Sequence, residues 1–155
     1  MSRVYEGDGE NPACTLWGAW FKRAVDCKRG QTFLRELEAS ILALPERRLS
    51  MDAFAGASET PNGPVPTGEV CALGALALAR RLKAGEPRDA ALRQIVERMP
   101  YEDDGSSVAA DELKMARTLA WEIIQQNDDV CCSMTPETRY EHMLAYVRSL
   151  IHATA

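Results

Sequence analysis

Gly68-Glu69-Val70-Cys71-Ala72-Leu73-Gly74-Ala75-Leu76-Ala77-Leu78-Ala79-Arg80-Arg81 is the stretch on which the fold turns. From Val70 to Ala79 every residue is apolar or small, so a helix built from it has no polar face and must be enclosed on most sides. The run is too short to cross a bilayer, which needs about 20 apolar residues. It therefore reads as the central helix of a globular domain. Gly74 costs about 1 kcal/mol relative to Ala inside a helix, which implies that a neighbour, by default another helix, approaches its backbone closely.

The flanking segments supply the enclosure. Leu34, Leu37, Ile41 and Leu44 form one stripe with Arg35, Glu36 and Glu38 away from it, an amphipathic helix stopped by Pro45. Ahead of it, Leu16, Trp17, Trp20, Ala24 and Cys27 recur at helical spacing, with Thr15 as N-cap and Lys28-Arg29-Gly30 as the end. Residues 1–14 lack periodicity and read as a mobile leader, which leaves 15–155 as a single helical domain. Arg48 to Phe54 reads as a strand or an irregular arm and Gly56 to Thr67 as a loop, so a short β-hairpin or arm is expected around 48–70. Gly85 closes the central helix and Pro87 opens a short one through Met99. Leu113, Ala116, Ala120, Ile123 and Asn127 predict one long helix, and Thr135-Pro136-Glu137 starts the last, with Tyr140, Met143, Leu144, Val147 and Ile151 inward. The expectation is a mainly α fold, one compact domain of about five or six helices.

Composition narrows the function classes. The chain has 155 residues, 46% of them hydrophobic, with 18 basic and 23 acidic groups and a formal charge of -5. That suits a single soluble domain and argues against general nucleic-acid binding, which needs concentrated Lys and Arg. The basic groups gather in the first third, at Lys22, Arg23, Lys28, Arg29, Arg35, Arg47 and Arg48, a hint of an anionic partner there. Five cysteines without CxxC or paired spacing suit a reducing compartment better than a disulfide framework or zinc site. With no signal peptide and no membrane span, a cytoplasmic location is expected.

Candidate chemistry is sparse. Cys71 at a helix N-terminus would have a lowered pKa and act as nucleophile if His142 served as base and Glu69 or Asp128 oriented it. The packed reading of Cys71 outweighs this, because Ala72, Gly74 and Ala75 around it form a close-packing face. Arg29-Gly30-Gln31 lies at a helix junction where free N–H groups, a guanidinium and an amide can meet a phosphate or carboxylate. Arg35, one turn beyond Gln31, shares its face. Glu122, Asn127, Asp128 and Asp129 lack the staggered ligands of an EF-hand loop, so no metal and no cofactor are expected.

Five strings together resemble a family of small phage and prophage proteins of unestablished function: RGQTFLREL at Arg29 to Leu37, LPERRL at Leu44 to Leu49, GEVCALGA at Gly68 to Ala75, Glu122-Ile123 with Asn127-Asp128, and TPETR at Thr135 to Arg139. The similarity runs from about Trp17 onward. It departs in a longer loop at Ala55 to Thr67, in extra sequence around Glu86 to Ser107, and in Tyr140, where the family pattern expects tryptophan. The resemblance implies a phage-encoded, non-catalytic binding protein acting in the host cytoplasm on host machinery or host defence. It would either sequester a small anionic, nucleotide-like signal or block a host defence protein by surface contact. In the first case Arg29, Gln31, Arg35 or Arg139 would hold phosphate and Tyr140 would stack on a base, with Glu69 nearby and the pocket formed between two copies of a homodimer. The alternative class is a small cysteine- or metal-dependent enzyme acting on a nucleotide or similar substrate.

Overall fold

The computed structural model describes residues 12–101, 105–130 and 132–153. Among them, seven α-helices and one antiparallel hairpin follow in the order α1 (Pro12–Asp26), α2 (Lys28–Leu42), β1 (Ala55–Thr60), β2 (Gly63–Val70), α3 (Ala72–Lys83), α4 (Arg88–Arg98), α5 (Ser106–Leu113), α6 (Arg117–Gln125) and α7 (Pro136–Leu150), with one π-helical turn (Gln126–Val130) between the last two. The leader expected over 1–14 falls largely outside the described residues, and α1 already begins at Pro12 rather than at Thr15.

The all-apolar run is the central helix. Every residue of α3 from Ala72 to Leu78 is buried, and α2, α4, α6 and β2 pack around it. The element pressing on Gly74 is not a helix but the backbone of Phe54, just ahead of β1. A Cβ at position 74 would lie 1.7 Å from the Phe54 carbonyl oxygen, which also accepts the Cys71 N–H at 3.2 Å. Only a glycine lets the arm lie so close to the start of α3.

Two helix boundaries differ from expectation. Lys28, Arg29 and Gly30 do not end α1 but open α2, which starts one residue after α1 stops, with Cys27 as N-cap. The long helix expected through Leu113 and Asn127 is two helices, broken where Lys114 adopts the left-handed conformation (φ 56°). Of the two forms expected for Arg48 to Phe54, the irregular arm is the one present, because Arg47 and Asp52 are left-handed (φ 50° and 60°) and its backbone groups pair singly, Leu49 N with Pro136 O and Ser50 N with Val70 O. The hairpin expected around 48–70 is present, with its strands at Ala55–Thr60 and Gly63–Val70 in the part of that range read as a loop. Thr60 pairs with Gly63 across Pro61-Asn62 and Ala55 with Val70, with a bulge after Ala55. Pro64 and Pro66 are tolerated in β2 because a two-stranded hairpin leaves an edge that needs no N–H.

The last helix ties the ends together. Thr135 caps α7 through its hydroxyl with Pro136 in the first turn, as expected, and α7 packs against α2.

Candidate functional site

Cys71 is the N-cap of α3, and its Sγ accepts the Gly74 N–H at 3.4 Å. A helix N-terminus favours thiolate, but burial prevails. The residue is 4% exposed, and desolvation, with the Asp128 carboxylate second, pushes the thiol up to about 12. At neutral pH it is a protonated, packed capping group. The other members of the nucleophile reading stand elsewhere. His142 Nε2 meets Gln126 Oε1 at 3.2 Å, and Glu69 projects from β2 with its Oε1 3.5 Å from Arg48. Among the described residues no hydrogen bond joins Cys71 to either of them.

The π-helical turn after α6 carries a buried polar network. Asn127 Oδ1 accepts the Ala72 N–H at 3.2 Å, while its Nδ2 donates to Ser50 O at 2.9 Å and to Asp128 Oδ1 at 2.6 Å. One amide thus joins the start of α3, the arm and α6. The Tyr101 hydroxyl donates to Asp128 Oδ2. Burial raises the pKa of Asp128, opposed by the Tyr101 and Asn127 bonds, and the Tyr101 hydroxyl is pushed up by its own burial and then by that carboxylate. A cavity of about 270 Å³ opens beside them, lined by Asp52, Tyr101, Ser106, Trp121, Asp128 and Asp129 among others. The oxygens considered for a hard cation are dispersed, since Glu122 accepts from Trp17 Nε1 at 3.4 Å while Asn127 and Asp128 bond within the network. Among the described residues, no group of three or more His, Cys, Asp or Glu side chains is placed to hold a metal ion.

Most residues considered for anion binding are engaged with backbone carbonyls. Gln31 is buried at the α1–α2 junction, donating to Val25 O and Leu150 O, each at 2.9 Å, and accepting the His152 N–H at 2.7 Å. Arg35 donates to Gln31 O and His152 O. Together they stitch the end of α7 to the start of α2. Arg139, 3% exposed, donates to Leu49 O at 2.9 Å and Met134 O at 3.1 Å, pinning the arm to α7. Tyr140 is 1% exposed, with the Arg47 guanidinium 5.5 Å from its ring centre, so the side chain considered for base stacking packs inward.

Arg29 and Glu69 remain at open clefts, and not at the same one. Glu69 lines a cavity of about 420 Å³ with Glu46, Arg48 and Arg88. Its signs balance, and Arg48 is already held by Glu137 at 3.0 Å as well as by Glu69. Arg29 lines a cleft of about 210 Å³ between the start of α2 and the α5–α6 break, with Gly30, Lys114 and the apolar Ala24, Phe33, Met115 and Leu119. Its guanidinium donates to Lys114 O at 2.6 Å, which holds it over the rim and leaves its other N–H groups available. No carboxylate lines this cleft, and no acidic residue lies in the first turn of α2. Lys114 had no signal in the sequence. It joins Arg29 only because the chain turns left-handed there, at a residue type that rarely does so.

No helix among the described residues is long and apolar enough to cross a membrane. The chain matches no family model, no curated protein and no solved structure.

Proposed function

We propose that this chain is a non-catalytic binding protein that captures an anionic group in the Arg29–Lys114 cleft, and that it serves a phage in modulating its host or countering a host defence. The phage role rests on the sequence resemblance. The binding reading rests on one observation: in a chain with 23 acidic and 18 basic groups, this cleft is lined by the basic residues Arg29 and Lys114 and by no acidic residue. Lys28 and Arg29 stand in the first turn of α2, where the helix dipole already repels cations. An anion there relieves both. The cleft, at about 210 Å³, is smaller than the roughly 300–1,000 Å³ of most small-molecule sites. It suits a phosphate or carboxylate head with a short apolar stretch, and a nucleotide would lodge its phosphate here with the remainder along the rim. The buried, protonated Cys71 supports binding over cysteine catalysis.

Thermal stability of the full chain against phosphate, pyrophosphate and a panel of cyclic and linear nucleotides tests this. A ligand at 100 times its Kd adds about 2.7 kcal/mol, a rise in Tm of roughly 5–10 °C for a domain this size, and it should be recovered unaltered. Arg29→Gln removes a charge-assisted bond worth about 1.5–3 kcal/mol and should weaken binding about 10- to 100-fold, with Lys114→Asn acting in the same direction. No shift with any anion, or a shift indifferent to both variants, would remove the proposal.

A further inference from the structure

We infer that the outer face of α1 is a docking strip for an acidic amphipathic helix of a partner protein. Leu16, Trp20 and Arg23 follow one another at four- and three-residue steps within α1 and are all exposed, so they share one stripe of helix surface, about 10 Å long at about 1.5 Å per residue. The opposite face fixes α1 to the body. Val25 is buried and Phe21 packs on the core, and Trp17 meets Trp121 edge-on with ring centres 5.4 Å apart. The strip is therefore presented on a held element. Leu16 at 52% and Trp20 at 55% are the two most exposed large apolar side chains among the described residues, and they stand one helical turn apart. Tryptophan is the residue type most enriched among the anchors of protein interfaces.

Charge selects the occupant. Arg23 ends the strip and Lys28 opens α2 beyond it, and among the described residues neither has a carboxylate partner, whereas Lys22 is already paired with Asp26. Cations with no carboxylate partner among the described residues, beside an exposed tryptophan, are complementary to an acidic surface. A narrow straight stripe with anchors one turn apart fits the side of a helix, as in helix-in-groove recognition. A second copy of α1 would set Arg23 and Lys28 against themselves, and a bilayer needs a broader apolar face than two side chains provide. This inference does not depend on the Arg29–Lys114 cleft.

The probe is a fluorescein-labelled synthetic helix with Leu at four-, three- and four-residue steps and Glu on both flanks, read by anisotropy with the full chain. A counterpart with Lys in place of Glu, vesicles containing phosphatidylglycerol, and sedimentation of the protein alone complete the set. The Leu/Glu helix should bind and the Leu/Lys helix should not. Trp20→Ala should weaken binding at least about tenfold, and Arg23→Glu should reverse the preference between the two helices. Both sites are exposed, so the variants should keep the wild-type circular dichroism and any anion-induced Tm shift, while Arg29→Gln should keep helix binding. Equal binding of both helices, indifference to Trp20→Ala, or Trp20-dependent self-association or vesicle binding in place of peptide binding would overturn the inference.

Discussion

Alkylation of the cysteines under native conditions separates the binding account from an enzymatic one, and its outcome can be worked out in advance. Iodoacetamide reacts with thiolate. A thiol pushed up to about 12 from an ordinary 9.0 carries about 1,000-fold less thiolate at neutral pH than an unperturbed one. Burial also closes the route for reagent. Sγ is enclosed at the N-cap of α3 beneath the arm, so reagent that enters only through an opening reaction meets a solvated thiol with an ordinary pKa. If that opening approaches global unfolding at about 5 kcal/mol, the rate by this route is lower by a factor of roughly 10³–10⁴, so protection of about 1,000-fold or more is expected by either route. Cys27 and Cys132 are exposed free thiols in the same chain and serve as internal standards. Peptide mapping by mass spectrometry over a time course at pH 7.5 should show Cys27 and Cys132 modified within minutes and Cys71 unmodified over hours, with all three modified in strong denaturant. Modification of Cys71 at the rate of Cys27 in the folded protein would refute the assignment of Cys71 as a packed cap and revive the nucleophile.

Further expectations follow from single contacts. Asn127→Ala leaves the Ala72 N–H and the Ser50 carbonyl without their bonds at about 1–3 kcal/mol each, so urea unfolding should show a loss of about 2–6 kcal/mol. Asn127→Asp keeps the acceptor for Ala72 N but sets a second carboxylate beside Asp128, so its deficit should shrink as the pH is lowered. Gly74→Ala gains about 1 kcal/mol of helix propensity but drives a Cβ to 1.7 Å from the Phe54 carbonyl. Overpacking against backbone should outweigh the gain and lower Tm, and an unchanged or raised Tm would show that the arm does not lie there. Burial holds the half-buried Glu122 carboxyl above its ordinary 4.5. The folded state therefore binds this proton more tightly than the unfolded, and Glu122 costs stability as pH rises from about 4.5 through its folded value. Glu122→Gln should raise Tm at pH 7, and the gain should vanish below about pH 4.

How much of this was legible in the sequence can be traced residue by residue. The unbroken apolar run gave α3 its enclosure, and the stripe at Leu34, Leu37 and Ile41 gave α2, because periodicity reports burial directly. Thr135-Pro136 gave the start of α7, because capping chemistry is local. The hairpin was legible only as a hairpin or arm somewhere in 48–70, and its strands were not placed because Gly and Pro at Gly56, Gly63, Pro64, Pro66 and Gly68 read as loop, although Pro61-Asn62-Gly63 is turn material between two strand-length runs. The α5–α6 break was not legible, since Lys114 in the left-handed region carries neither Gly nor Asn to announce it. Among the residues considered for a site, Arg29 was singled out by its place at a helix junction, and it lines a cleft there. Gln31, Arg35 and Arg139 were equally polar and equally well placed on paper. Their distant partners lie 90 to 121 positions away, the carbonyls of Leu150, His152 and Leu49 and the His152 N–H, apart from local bonds to Val25, Met134 and Gln31 itself. Local spacing carries no trace of such distant bonds.

The most direct test of the central claim is amide chemical-shift mapping by NMR as phosphate or the best anion from the thermal panel is added. The account predicts saturable shifts at Lys28 to Gly30 and Lys114 to Ala116, lost in Arg29→Gln. Shifts confined to the Arg48–Glu69–Arg88 cavity, or none at any concentration that raises Tm, would contradict it.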